Sequence, residues 1–348
     1  MGRSRTVGVM MLVAVLGHAG TAIAQGGRAW RVRCAGDLDA MAIVGRLDAV
    51  LEDAERRHAQ AVLLELGGNR WRTDVVWAMA RVVQQRRIRV IALLGDDEDG
   101  VVGAGQLMLA TLCDSSWIDP GTRIESDQSD DLADWAPPDT DFERVHRELA
   151  GSIWLRLRER EGPVALARAL VSREESVWLA DADEAVTFEE PPPEQATALI
   201  EYRDDGFRVR IDAAQAVRLK LVGGLEDRPA VVLRAEGVNP VSPRRVELDS
   251  GLGQAHRRAW TMLSRIGSYV EELEQESGSG IRVTGDGRGA ERVRSGLNAA
   301  RRRLAELDAL LDVYPEIPRL EPRRAGGGDF TGTVKKLRVR IEKLAERR

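Results

Sequence analysis

The sequence predicts an α/β fold built on a parallel sheet, with a helical appendage behind it. Three observations lead there. Short apolar or alternating runs are separated by amphipathic stretches long enough to be helices. Gly and Pro punctuate each change of period, as βαβ units with right-handed crossovers require. Beyond Leu252 the strand signals stop and long stripes at three- and four-residue spacing take over.

Taken in order, Met1–Ala24 has its own character: Arg3 and Arg5, an apolar run from Val7 to Leu16, and the small-x-small site Ala22-Ile23-Ala24. This reads as a cleavable secretory signal, so the chain is expected to be periplasmic or secreted. No later run approaches the ~20 apolar residues that cross a bilayer, so no transmembrane segment is expected in the mature chain. Trp30, Val32 and Cys34 alternate with Arg31 and Arg33 as a half-buried strand. Met41, Val44, Leu47, Leu51 and Ala54 form one helical stripe. Ala61–Leu66 is a strand closed by Gly67-Gly68. Asp74–Gln85 is a helix and Ile88–Leu94 a third strand. Gly103–Leu112 is a helix, and Ser116–Ile118 a short strand before the Pro120-Gly121-Thr122 turn.

Asp127–Asp141 is acidic, lacks periodicity and is expected to be a loop. A helix follows from Phe142 to Arg160, broken at Gly162-Pro163, and a shorter one reaches Val171. After the Pro191–Pro193 linker, Ala198–Tyr202 and Phe207–Ile211 predict a hairpin turned by Asp204-Asp205-Gly206. Asp212 caps a helix over 213–221 that stops at Gly223-Gly224. The domain division is therefore 28–235 for the α/β part and 250–312 for an antiparallel, coiled-coil-like helical hairpin. A linker (313–329) and a charged helix (330–348) complete it.

With 348 residues and 43% hydrophobic content the chain can bury a large core. The net charge of -5 is uneven. From Gly253 onward there are 20 Lys or Arg against 14 Asp or Glu, which makes an acidic body with a mildly basic tail. The tail has no interleaved aromatics and no nucleic-acid motif, so nucleic acid is not an expected partner. Export would let Cys34 and Cys113 form a disulfide. The alternative is two small buried apolar side chains.

Val101-Val102-Gly103-Ala104-Gly105-Gln106, the Leu63–Gly68 strand and turn, Pro120-Gly121-Thr122 and the helix Ala216–Gly224 come in an order that resembles the Clp protease and crotonase-like superfamily. The closest likeness is to NfeD-type and signal peptide peptidase A serine peptidases. The resemblance covers roughly Trp30–Leu225 and implies a spiral of ββα units with a parallel sheet. It also implies self-association and a peptide or protein partner, with no cofactor. It places an oxyanion and peptide groove at Gly67, Gly68, Asn69, Gly103 and Ala104. A plain strand-to-helix turn is the other reading of Gly67-Gly68.

Where the resemblance puts a nucleophilic serine, this chain has Gly103, which carries no atom able to attack a carbonyl. The base is missing as well. Lysine occurs only at Lys220, Lys335, Lys336 and Lys343. Where the peptidase lysine belongs there are Arg144 and Arg147, which stay protonated. The expectation is a catalytically inactive homologue serving as a binding or assembly module, with no catalytic residue assigned. Two alternatives stay open: an active serine endopeptidase using a displaced serine with His146 as base, and a coiled-coil adaptor. No phosphate-binding loop, paired zinc histidines or calcium-loop spacing is present, Asp96–Asp99 included.

Overall fold

The computed structural model describes residues 28–34, 36–95, 100–137, 139–172, 175–180, 184–187, 196–203, 206–240, 243–278, 288–319 and 330–346. The expected signal segment, the Asp96–Asp99 run, the triple-proline linker, the Asp204-Asp205 turn tip and most of the 313–329 linker lie outside them.

The elements run β1 (Trp30–Cys34), α1 (Ala42–Arg56), β2 (Ala61–Leu66), α2 (Thr73–Gln85), β3 (Arg89–Leu94), β4 (Val101–Val102), α3 (Ala104–Leu112), β5 (Ser115–Ile118) and β6 (Arg123–Asp127). They continue with α4 (Phe142–Glu159), α5 (Ala165–Ser172), β7 (Val177–Ala180), β8 (Glu184–Thr187), β9 (Thr197–Arg203), β10 (Gly206–Asp212), α6 (Ala213–Arg218), β11 (Gly224–Leu225), α7 (Pro229–Ala235) and β12 (Arg244–Glu247). Helices α8 (Leu252–Gly278), α9 (Arg288–Val313) and α10 (Phe330–Glu346) complete the chain.

One sheet is six-stranded, in the order β11-β5-β3-β2-β1-β12, and parallel throughout. Crossover helices are what allow parallel pairing, and they bury both faces. Strand alternation divides the side chains accordingly. Val62, Leu64 and Leu66 point into the main core with α1, α2 and α3, whereas Ala61 and Leu63 meet Val232 and Leu233 of α7 on the other face. The second sheet, β4-β6-β10-β9-β7-β8, is antiparallel except for the β4–β6 pair. The expected hairpin is its β9–β10 pair, and Asp212 caps α6 through a capping box with Gln215.

Several expectations shift. The buried face of α1 is Ile43, Leu47, Leu51 and Ala54, while Met41 is the exposed N-cap and Val44 is only partly buried against the core. Helix α6 stops at Arg218 rather than 221, with Lys220 at φ +59°. The chain then joins the sheet edge at β11 through Gly223 N–H donating to Ser116 O at 2.7 Å. The sheet also extends past residue 235, since β12 pairs in register with β1. The acidic loop holds two 3-10 turns, Gln128–Asp130 and Ala133–Trp135. Cys34 and Cys113 are free and buried, with both thiols pushed up to about 12 by burial, so they pack as apolar groups.

The helical hairpin is joined by α10, giving a three-helix bundle among the described residues. Phe330, Val334, Leu337, Ile341 and Leu344 bury one face of α10 against α8 and α9. Phe330 meets Trp260 edge-on, and Arg340 pairs with Glu274. The exit of α9 plugs into the α/β domain. Tyr314 OH accepts from Arg46 Nη2 at 2.8 Å, and Ile317 and Glu316 are completely buried.

Candidate functional site

The candidate site forms where the end of β2 meets the start of α3. Gly68 sits at φ +79°, a conformation glycine adopts without strain, and a Cβ there would lie 2.8 Å from Gly36 O. That close approach of the β1 exit is why the turn needs glycine. Gly103 is the N-cap of α3, and its N–H donates to Gly68 O at 3.1 Å. Of the five residues expected to line a groove, Gly68, Asn69, Gly103 and Ala104 are neighbours at this turn, and Gly67 borders a different space.

Most of the amides that the turn and α3 bring together are already donated to internal acceptors. An oxyanion hole needs unoccupied N–H donors facing an open space. Here the Gly67 amide donates to Cys34 O (2.9 Å), and Gly103 donates to the turn's own carbonyl. The Ala104 amide donates to Ser126 Oγ (2.7 Å). The Arg70 amide donates to the Asp37 carboxylate at 3.1 Å. A Cβ built on Gly103 would lie 2.8 Å from the Asn69 carbonyl carbon, closer still to its oxygen, and 2.7 Å from Gln106 Oε1. The space a serine side chain would use is filled by backbone.

Residues 70–72 and 130–132 build the roof. Trp71 lies in extended pairing between Leu38 and Asp131. Its N–H donates to Asp130 O, Leu132 N–H donates to Trp71 O, and Arg72 N–H donates to Leu38 O. The buried indole packs on α3 so tightly that a Cβ on Gly105 would be 2.5 Å from Trp71 Cβ. Around this roof burial raises the carboxyls of Asp37 and Asp130, and that of Asp39 to about 6, with Asp37 reinforcing the effect on Asp39.

Gly67 instead lines a cavity of ≈ 240 Å³ beside Arg31, Arg33, Glu65, Asp119 and Arg245. By strand alternation it opens on the α7 side of the parallel sheet. Arg31 is already bound to Glu65 through both oxygens, at 2.5 and 2.9 Å.

The other polar candidates lie apart from this turn. Ser115 and Ser116 are strand residues of β5, and Ser116 Oγ accepts from Arg160 at 3.4 Å. His146 packs on Phe142 along α4, with ring centroids 5.8 Å apart. Sequence reading missed Ser126, Trp71, Asp37 and Arg72. Ser126 had a faint signal, the alternation Ile124, Ser126 after the Pro-Gly-Thr turn. Trp71 and Arg72 had none, because their roles depend on partners far away in sequence.

No family model and no curated protein matches the chain. Among solved structures it is similar to the 1510-N membrane protease specific for a stomatin homolog from Pyrococcus horikoshii, with 11% identity and a TM-score of 0.41, covering 64% of this chain and 94% of that one. Two alanine variants of the 1510-N membrane-bound stomatin-specific protease give similar figures. One has 13% identity and a TM-score of 0.41, covering 64% of this chain and 98% of that chain. The other, in complex with a substrate peptide, has 12% identity and a TM-score of 0.42, covering 65% and 93%.

Proposed function

We propose that the chain is an exported, catalytically inactive homologue of the NfeD-type and Clp-type serine peptidases, acting as a binding or assembly module. The observation that carries the reading is the Asn69 carbonyl lying where a side chain on Gly103 would have to be. Three further losses point the same way. The amides at both ends of the turn are spent on internal acceptors. The α/β part holds a single lysine, Lys220, placed where α6 runs toward β11. Arg144 cannot take a proton at neutral pH, and it lies over the Trp77 ring.

The test is a fluorophosphonate probe on the purified mature protein. No labelling is expected. Stoichiometric labelling overturns the proposal. Export is tested in the same preparation by amino-terminal sequencing, with a start after Ala24 expected. The partner class is a peptide or protein segment, with self-association included, and sedimentation of the pure protein tests the latter.

A displaced-serine peptidase has one observation in its favour, the Ser126 hydroxyl at the start of α3. That version requires labelling that disappears in Ser126→Ala.

A further inference from the structure

The roof over α3 and the C-terminal bundle share one side chain, Arg72. Its guanidinium is completely buried. Nε and Nη2 donate to the two oxygens of Asp74 at 2.9 and 2.7 Å, and Nη1 donates to Glu316 Oε1 at 2.6 Å. Nη1 also reaches the carbonyls of Asp39 and Trp135 at 3.4 Å. Asp74 alone would neutralise the arginine. Glu316, brought in from the end of α9, adds a second buried carboxylate to the seam. Its Oε1 also accepts from the Met41 amide at 3.2 Å, while its Oε2 is buried without a hydrogen-bond partner. A buried carboxylate with half its acceptor capacity unused is costly and depends wholly on its partner.

Arg72 directly follows Trp71, the residue that covers Gly105, and Asn69 just ahead of them covers Gly103. Pulling Glu316 away therefore removes the bundle's hold on the segment that closes the site.

We propose that the C-terminal bundle is an intramolecular latch: Glu316, acting through Arg72, holds Asn69–Arg72 down on the amino terminus of α3, and undocking of the bundle frees that segment to lift. Lifting uncovers Gly103, Gly105 and the Trp71 indole to an extended protein segment. The latch locates the binding step of the proposed function, and it is tested separately from catalytic inertness.

The experiment is hydrogen exchange on the full chain, followed in peptides covering residues 67–74 and 101–107. Glu316→Ala is expected to speed exchange there at least tenfold, with the amides of β1, β2 and β3 keeping wild-type protection. Glu316→Gln, which keeps an acceptor for Arg72 and the Met41 amide, is expected to give a two- to threefold increase. Arg340→Ala, which breaks a half-exposed pair inside the bundle, is expected to leave both peptides unchanged. Wild-type exchange at these peptides in Glu316→Ala overturns the latch, and so does an equal acceleration of the sheet amides. Should Glu316→Ala fail to fold, Glu316→Gln decides alone, wild-type rates overturning the proposal. Fluorophosphonate labelling of the wild type would overturn inertness and leave the latch standing.

Discussion

The amino terminus of α3 and the Arg72 seam are joined by the short segment Asn69–Arg72, yet different physics closes them. At α3 the groups are neutral: a carbonyl, a hydroxyl and an indole pressed on glycines. At the seam they are charged and dry: one guanidinium between two carboxylates. A steric closure cannot be undone by restoring one side chain. An electrostatic closure can be undone by removing one. The difference teaches that the two closures are separable, the first lying in the backbone path at Gly103 and the second in the ion pair between Arg72 and Glu316.

The largest effect should come from the seam. Arg72→Ala leaves Asp74 and Glu316 buried without their cation, and breaking a buried pair this way typically costs about 3–5 kcal/mol. The urea midpoint is expected to fall accordingly. A fall no larger than that of Arg340→Ala would mean that water reaches the seam, and would erase the contrast with α3.

Next comes the steric side. Gly103→Ser must place a Cβ against the Asn69 carbonyl, and overpacking of this kind costs about 1–3 kcal/mol. The variant is expected to lose that much stability and to remain unlabelled by fluorophosphonate. A stable, labelled Gly103→Ser would show that the turn yields easily and that a serine side chain has room at this position.

This is also where the limits of the sequence lie. The strands β1, β2 and β3 and the helices α2, α3 and α4 were legible because their apolar period is local, as in Trp30, Val32 and Cys34 against Arg31 and Arg33. The glycine at position 103 was legible because it is an identity at one position. The closure was not. The bond between Arg72 and Glu316 spans 244 residues, and β12 joins β1 with only Val246 as an apolar cue. The short β4 and β11 carry too few residues to show a period. In α1 the spacing gave Leu47, Leu51 and Ala54 but not Ile43, because Met41 and Val44 are apolar too and continue the same spacing to the helix start.

A third test separates charge from packing by pH. Asp39, beside the seam, has its carboxyl raised to about 6 by burial, and its Oδ1 is buried without a partner. Its pKa is higher folded than unfolded. The stability it contributes is therefore complete below its ordinary value of 3.8 and is lost as pH rises through about 6. Asp37 and Asp130 shift in the same direction. Asp39→Asn is expected to be near neutral at pH 4. At pH 7 it should stabilise by on the order of 1–2 kcal/mol, after discounting for partial exposure. Urea titrations at the two pH values check it. Equal effects at both would assign the gain to packing.

The smallest effect isolates the hydroxyl at α3. Ser126 Oγ accepts from the Ala104 amide, doing from a neighbouring strand what an N-cap side chain does locally. Removing such an acceptor costs about 1 kcal/mol, because the buried amide is left without a partner. Ser126→Ala is expected to lower the urea midpoint by that amount and to leave the exchange of peptide 67–74 at the wild-type rate, since Trp71 and Arg72 do not depend on it. Ser126→Thr keeps the oxygen and should restore most of the loss if the added methyl fits. Accelerated exchange at 67–74 in Ser126→Ala would mean that the hydroxyl helps hold the roof, making the two closures a single cooperative unit.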